Sequence, residues 1–176
     1  SPAVPPLVRS PLFTGGTWLL CAPHFYDVTY EINPWMNVNR GPQQALASAQ
    51  WTKLHHTLIR LGGWVEYVHP SKQQPDMVFT ANAGLVRGKK VVLSRFRHPE
   101  RQGEAPLFHD WFKEHGFEVV ELSGHAFEGE GDALFSGDTL FAGYGLRTDE
   151  ACYGEVAGAL GVSDVVLCEL CDPYFY

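Results

Sequence analysis

The chain has 176 residues, of which 45% are hydrophobic and 19% are charged, and its net charge is −7 at pH 7. This composition is typical of a globular domain, and the length suits one domain or part of one. The longest basic run is the pair Lys89-Lys90, so the sequence excludes an extended phosphate-binding surface and we expect no nucleic-acid partner. No apolar run approaches the ~20 residues of a membrane-spanning helix, so we expect no membrane partner either.

The cysteine content and the N-terminus bear on location and domain limits. Four cysteines are too few for a disulfide framework in a chain of this length, and no secretory signal precedes the first strand, so we expect a cytoplasmic protein. Residues 1–16 are rich in proline and are predicted to form an N-terminal tail. Residues 17–176 are predicted to form the folded region.

The predicted elements alternate along the chain. A strand at 17–22 comes first, and three helices each end at glycine, the first at the pair Gly62-Gly63, and lead into a strand. The helices are predicted over 42–61, 106–115 and 149–160, and the following strands over 64–68, 117–122 and 165–170. Two hairpins are predicted between these units, at 77–96 with its turn at Arg87-Gly88, and at 133–147 with its turn at 136–138.

This alternation repeats with a period of about 50 residues, as the spacing of the helix-ending glycines Gly63, Gly116 and Gly161 indicates. Each unit reads strand, strand, helix, strand, which favours a ring or array of similar units. The simpler alternative is the ordinary alternation of any α/β protein. If the units form a ring, three of them do not close it, and we expect the chain to stop before the fold is complete.

Two segments carry residues suited to binding a cation. In PDMVFTANAG (75–84), the Asn82 amide offers one acceptor and two donors, which suits a planar guanidinium, although Asn-Ala-Gly is also a common turn. FEGEGDALF (127–135) crowds Glu128, Glu130 and Asp132 together, which predicts a cation site or an acid/base pair, with a solvated loop as the alternative. The residue types predict no metal site.

Arginines and one apolar loop complete the candidate residues. A guanidinium binds a carboxylate through two parallel hydrogen bonds, so each arginine near these segments is a candidate for binding the carboxylate of a substrate, although most surface arginines have no such role. These arginines are Arg95, Arg97, Arg101 and Arg147. In INPWM (32–36), Asn33 precedes a proline in a loop whose Trp35 and Met36 suit a lid or core packing.

Five motifs in this order carry a resemblance to a known superfamily: INPWM, PDMVFTANAGLV, VVLSRFRHPERQGE, FEGEGDALF and AGYGLRT. Together they resemble the guanidino-group-modifying (amidinotransferase/arginine deiminase, or pentein) superfamily, and within it the arginine dihydrolase catalytic domain of cyanobacterial type. The resemblance implies an α/β fold, a pseudo-symmetric propeller of five ββαβ units of which about three are present. Residues 17–176 would then be the N-terminal portion of the catalytic domain.

The resemblance also implies roles for individual residues. Glu128 matches the catalytic acid of a Cys-His-acid set, with Glu130 as a rival, and Asp76 matches a guanidinium-binding position or is a turn residue. The implied substrate-binding residues are Asn33, Asn82, Arg101, Asp132 and Arg147. No metal and no cofactor is implied. The catalytic His and Cys of relatives fall beyond Tyr176, so this chain is expected to be inactive alone.

The implied activity is hydrolysis at the guanidinium carbon of arginine through a covalent thiouronium intermediate, giving ornithine, ammonia and carbon dioxide. Two alternatives remain open: another activity of the superfamily (dimethylarginine hydrolase, arginine deiminase or amidinotransferase), and a non-catalytic ligand- or protein-binding module. The expected partners are arginine or a related guanidino compound, together with a second copy of the chain or a missing C-terminal segment.

Overall fold

The computed structural model describes residues 16–174, so all of the predicted N-terminal tail except Gly16 lies outside the described residues. These residues form three small β-sheets, each with helices packed beside it. No helix within 16–174 is long and apolar enough to cross a membrane. The strands are β1 (Thr17–Cys21), β2 (Trp64–Val68), β3 (Gly84–Arg87), β4 (Lys90–Leu93), β5 (Glu118–Val120), β6 (Ala133–Ser136), β7 (Thr139–Tyr144) and β8 (Val165–Glu169). The helices are α1 (Gln44–Arg60), α2 (Pro99–Gln102), α3 (Glu104–Glu114) and α4 (Tyr153–Leu160).

The second and third units have the predicted strand–strand–helix–strand order. In each, a tight antiparallel hairpin is followed by a helical connection and a parallel third strand, giving the orders β3-β4-β5 and β6-β7-β8. The hairpin turns use Gly88 and Gly137, both with positive φ, as the turn sequences predict. In the first unit, β1 pairs in parallel with β2 across α1.

One prediction about local structure was wrong in detail. Residues 77–83 do not begin the hairpin, because Pro75–Val78 and Thr80–Ala83 each form a 3-10 turn and β3 begins only at Gly84. Pro75 favours that turn, since its ring fixes φ and its missing N–H is not needed at the first helical position. Helix α1 ends at Arg60 and is followed by Gly62-Gly63, the pair predicted to end it, with Gly62 in the left-handed conformation at a φ of +89°.

The antiparallel hairpins bring four loop segments to one end of the sheets. Because Gly84 pairs with Leu93, the segment entering β3 and the segment leaving β4 meet at the same edge. Because Ala133 pairs with Ala142, the segments flanking the second hairpin meet in the same way. Two hydrophobic clusters hold these edges in place, one around Phe127, Leu140 and Val156, the other around Met77, Val91 and Phe108. Each fully buried side chain of this size contributes about 1.5–3 kcal/mol.

Candidate active site

A cavity of about 300 Å³ lies where these loop segments meet. Its walls combine polar side chains with an apolar and aromatic surface, a combination typical of small-molecule sites. The charged and amide side chains in its wall are Asn33, Asp76, Asn82, Arg101, Glu128 and Arg147. The apolar wall includes Tyr26, Ile32, Trp35, Met36 and Phe79. The structure therefore brings together five of the six predicted site residues, with Asp132 as the exception, and adds Asp76.

Asn82 is buried in the wall, and hydrogen bonds on both sides fix its amide. Its Nδ2 donates to the backbone carbonyl of Glu128 at 3.0 Å, and its Oδ1 accepts from Arg101 Nη1 at 3.0 Å. The glycine-rich segment allows this close approach, because a Cβ on Gly131 would overlap Asn82 Nδ2 and lie 2.8 Å from Arg147 Nη2. Asn82 thus links the acidic segment that carries Glu128 to the basic segment that carries Arg101.

Arg101 lies in α2 and is almost completely buried. Its Nε and Nη2 each donate to Glu104 at 2.8 Å, and Nη2 also donates to the carbonyl of Asp76 at 3.3 Å. Burial by itself lowers the pKa of Arg101, but the contact with the Glu104 carboxylate outweighs it and the pKa is raised. Arg101 is therefore a fixed cation whose fork is already occupied by a protein carboxylate.

Glu128 is 2% exposed and presents an unsatisfied oxygen. Its Oε1 has no hydrogen-bond partner among the described residues, and its Oε2 lies 3.6 Å from Arg147 Nε. Burial raises the pKa of Glu128, and the nearby cations Arg147 and Arg101 only partly oppose this. A buried polar atom without a partner is costly, so Oε1 is the atom of the site best placed to receive a donor from a ligand.

Asp132 does not line the cavity but lies behind it. Both of its carboxylate oxygens accept from Arg147 Nε, at 3.0 and 3.1 Å, and its Oδ2 also accepts from the Thr148 hydroxyl at 2.6 Å. The same hydroxyl accepts the backbone N–H of Glu128 at 3.1 Å. Asp132 and Thr148 therefore hold Arg147 and Glu128 against each other in the cavity wall.

The structure separates the two rival glutamates. Only Glu128 lines the cavity, whereas the Glu130 carboxylate faces a different groove beside β1 and β3 and accepts from the Val86 N–H at 3.4 Å. Burial raises the pKa of Glu130 as well. The backbone turns sharply between the two residues at Gly129, whose φ is +61°, and this turn sends their side chains to different places.

Asp76 forms part of the cavity wall through a buried carboxylate. Its Oδ2 accepts from the Tyr30 hydroxyl at 2.8 Å. Burial raises the pKa of Asp76, and the hydrogen bond from Tyr30 and the charge of Arg101 only partly offset it. Asp76 lies in a 3-10 turn and also in the cavity wall, so its position agrees with both interpretations of this residue.

Asn33 and the aromatic loop form the outer wall. The Asn33 Oδ1 accepts the backbone N–H groups of Trp35 and Met36 at 2.9 and 3.2 Å, so this side chain shapes the loop that presents both residues to the cavity. Trp35 remains 70% exposed. This placement is consistent with a lid and excludes core packing for Trp35.

Two of the four candidate arginines lie outside the cavity wall. Arg97 forms an ion pair with Asp149 and donates to the carbonyl of Arg147 at 3.2 Å, and Arg95 donates to the carbonyl of Gly124 at 3.1 Å. Both side chains therefore stabilise surface segments. Arg101 and Arg147 remain as the arginines of the site.

Several residues of the site were not predicted from the sequence. His98 lines the cavity, and burial lowers its pKa. Phe79 lies in what was predicted to be a strand. Glu104 and Thr148 act from behind the wall, and Tyr30 does so through Asp76. Only the spacing Arg101-x-x-Glu104, which suits a side-chain pair within a helical segment, would have indicated one of them.

The cysteines and the metal-binding side chains can be placed relative to the cavity. None of the four cysteines lines the cavity, and burial raises the pKa of both Cys21 and Cys152 to about 12, so these thiols stay protonated. Within residues 16–174 no group of three or more His, Cys, Asp or Glu side chains is placed to hold a metal ion.

The fold and this cavity define a protein of the guanidino-group-modifying, or pentein, superfamily. The chain belongs to the N,N dimethylarginine dimethylhydrolase family, in its eukaryotic form, whose model matches residues 29–172. It is 52% identical over 163 residues to the bifunctional arginine dihydrolase/ornithine cyclodeaminase ArgZ of Synechocystis, and 43% identical over 159 residues to the N(G),N(G)-dimethylarginine dimethylaminohydrolase of Mycobacterium tuberculosis.

A solved structure supports the same relationship. The N-terminal domain of cyanobacterial ArgZ, as a cysteine-to-serine mutant bound to substrate, superposes with a TM-score of 0.85 and 49% identity, covering 91% of this chain and 60% of that one. In sequence, 90% of this chain aligns with each of the two relatives, but it spans only 23% of ArgZ and 52% of the mycobacterial enzyme.

Proposed function

We propose that the protein is a guanidino hydrolase and that this cavity binds the guanidinium end of arginine. The observation that carries the proposal is the Glu128 carboxylate, buried in the cavity wall with an unpartnered oxygen and a raised pKa. A guanidinium is planar and rich in N–H donors, so it supplies the donor that this oxygen lacks. The similarity to an arginine dihydrolase supports arginine as the substrate.

In this proposal the cavity residues divide the work on the substrate. Glu128 and Asp76 place negative charge beside the guanidinium and localise its positive charge, which makes the central carbon a better electrophile. Asn33 and Asn82 contact the substrate through their amides, and the resemblance assigns Arg101 and Arg147 to its amino-acid end, with the Arg101 fork held by Glu104 and its Nη1 directed at Asn82. Asp132 acts indirectly, because it holds Arg147 through both carboxylate oxygens.

The covalent step needs a cysteine, which the described cavity wall does not contain, and a histidine other than His98 of the wall, which the resemblance assigns to a position beyond Tyr176. By the resemblance, a thiolate attacks the guanidinium carbon, a histidine protonates the departing amine, and water then attacks the thiouronium carbon and releases the thiolate. One such cycle converts arginine and water into citrulline and ammonia. A second cycle followed by carbamate breakdown gives ornithine, a second ammonia and carbon dioxide. Residues outside 16–174 would supply the cysteine and the histidine.

Product analysis with the protein at its full natural length tests this function. Incubation with arginine is expected to yield ornithine and ammonia, with no turnover when Glu128→Gln replaces the carboxylate. Citrulline and dimethylamine from asymmetric dimethylarginine would instead assign the activity of the mycobacterial relative, and amidine transfer to glycine would assign an amidinotransferase. Binding without turnover of any of these compounds would contradict the hydrolase proposal and favour a binding module.

The three sheets support a further part of the proposal, that they are three of five propeller units. Strands β1, β3 and β6 each lack a neighbouring strand on their outer side among the described residues. Large side chains such as Trp64 and Leu134 are more than half exposed. Unpaired edges and exposed apolar surface favour association, so we also propose that the protein forms a homo-oligomer. Light scattering that gives only the monomer mass at high concentration would contradict this.

A further inference from the structure

Glu104 is a buried carboxylate next to the cavity that does not belong to its wall. It is the first residue of α3 and is 0% exposed. A buried carboxylate is costly unless it is paired, and both of its oxygens are paired with Arg101, at 2.8 Å from Nε and 2.8 Å from Nη2. Glu104 therefore holds a cavity-lining arginine from behind.

Arg101 is held so that only one of its nitrogens is directed at Asn82. Its Nε and Nη2 are taken by Glu104, and Nη2 also meets the Asp76 carbonyl at 3.3 Å. The guanidinium carbon lies 4.6 Å from the centre of the Phe96 ring, which closes one face. Nη1 is the remaining terminal nitrogen, and it donates to Asn82 Oδ1 at 3.0 Å.

This contact fixes the orientation of the Asn82 amide. With Oδ1 facing Arg101, Nδ2 faces the carbonyl of Glu128 at 3.0 Å. A flipped amide would set two donors against each other on one side and two oxygens against each other on the other side. The donor and acceptor that Asn82 offers to the cavity are thereby determined by Arg101 and the Glu128 carbonyl, and Arg101 is in turn held by Glu104, which does not line the cavity.

We propose that Glu104 is a positioning residue of this site. By binding the Nε–Nη2 edge of Arg101 it presents Nη1 to Asn82, and so it sets which face of the Asn82 amide meets a bound guanidinium. Glu104 contacts no ligand itself. This inference rests on the proposed function, in which Asn82 contacts the substrate.

The direct test is Glu104→Gln in the protein at its full natural length. Gln keeps the shape but replaces one acceptor with an NH2 group, which must face an N–H of Arg101, so the Arg101 fork is displaced. A displacement of this kind lowers kcat by roughly 10- to 100-fold in oriented sites, and we expect that loss with a smaller change in KM. Glu100→Gln, an exposed carboxylate of α2, is the matched control and should retain activity within about twofold.

A double-mutant cycle distinguishes positioning from a purely structural role. If Glu104 acts through Asn82, then adding Glu104→Gln to Asn82→Ala should lower kcat for arginine by less than about twofold. The same substitution in the native background should lower kcat by roughly 10- to 100-fold. Equal losses in both backgrounds would overturn the proposal, because Glu104 would then act independently of Asn82.

Two further measurements keep the test decisive. If circular dichroism shows that Glu104→Gln does not fold, Glu104→Asp takes its place in the test because it retains the charge. Its smaller loss of kcat must then disappear in the Asn82→Ala background. The side-chain amide resonances of Asn82 in ligand-free protein should shift in Glu104→Gln and stay in place in Glu100→Gln. Unshifted resonances overturn the positioning role whatever the substrate. Absent turnover by the native protein would instead overturn only the proposed function.

Discussion

Asn82 donates its side-chain N–H to the backbone carbonyl of Glu128 at 3.0 Å, so the amide and the carboxylate of the site belong to one hydrogen-bonded unit. The two residues are 46 positions apart and come from different units of the fold. Each enters the cavity from a 3-10 turn or loop just before a hairpin strand. A change at either residue is therefore expected to affect the other.

Asn82→Asp is predicted to change the product. An aspartate oxygen would replace Nδ2 opposite the Glu128 carbonyl, so an attractive contact becomes a repulsion between oxygens. The added negative charge favours the cationic guanidinium over the neutral ureido group, so citrulline is expected to leave after one cycle instead of being attacked again. Chromatography of the amino-acid products after arginine turnover measures this.

Asn37→Asp, in an exposed loop, serves as the control for this substitution and should leave the product unchanged. If Asn82→Asp still forms ornithine as the main product, the amide is not what retains the intermediate.

Glu128→Gln is predicted to abolish activity and to stabilise the protein. Because burial raises the pKa of Glu128, the native carboxyl binds its proton more tightly than the unfolded one does. Its contribution to stability is therefore present below the ordinary pKa of 4.5 and is lost as pH rises through the native value. Glutamine avoids that loss, so we expect the free energy of unfolding at neutral pH to rise by about 1–3 kcal/mol.

Urea unfolding across a range of about pH 4 to 8 would measure this gain, which should disappear at the acidic end. Glu114→Gln, an exposed carboxylate near the end of α3, is the matched control and should show little dependence. A Glu128→Gln variant less stable than the native protein at neutral pH would contradict the assignment of a buried carboxylate whose Oε1 lacks a partner.

Thr148→Val is predicted to impair the site while preserving its shape. The hydroxyl donates to Asp132 at 2.6 Å and accepts from the Glu128 N–H at 3.1 Å, and valine can do neither. Both partners are buried, so we expect a loss of about 1–3 kcal/mol in unfolding free energy. Activity should fall roughly tenfold or more, because Glu128 and Arg147 lose their common support.

Thr148→Ser should restore most of both quantities, since it keeps the hydroxyl. Thr52→Val on the exposed face of α1 is the control for the threonine-to-valine change itself. Thermal unfolding and steady-state kinetics are the measurements, and an unchanged kcat in Thr148→Val would show that the hydroxyl does not support the site.

The sequence predicts the framework of the fold well, because turn chemistry and periodicity act locally. The Arg87-Gly88 turn, the helix-ending glycines Gly116 and Gly161, and the order of strands and helices are all visible in it. It misleads at Met77 and Val78, where an apolar run typical of a strand forms a 3-10 turn because tertiary packing outweighs β propensity.

For the site, the sequence does not predict which side chains pair with each other across the fold. The order of the motifs and their resemblance to a known superfamily indicate Asn82 and Glu128, and both residues line the cavity. They do not reveal that Thr148 bonds to Asp132, or that Arg101 is already paired with Glu104. Such partners depend on rotamers and burial in the folded state, which residue types and spacing do not specify.

Gly131→Ala is predicted to disable the site through sterics alone. The added Cβ would overlap Asn82 Nδ2 and lie 2.8 Å from Arg147 Nη2, so both side chains must move away from the cavity wall. Because reacting groups tolerate little displacement, activity should fall by roughly 100-fold. Gly154→Ala in α4 meets nothing within 4 Å and should retain activity while gaining up to about 1 kcal/mol of stability. Arginine turnover and urea unfolding of both variants provide the comparison, and full activity in Gly131→Ala would show that Asn82 and Arg147 need not keep these positions.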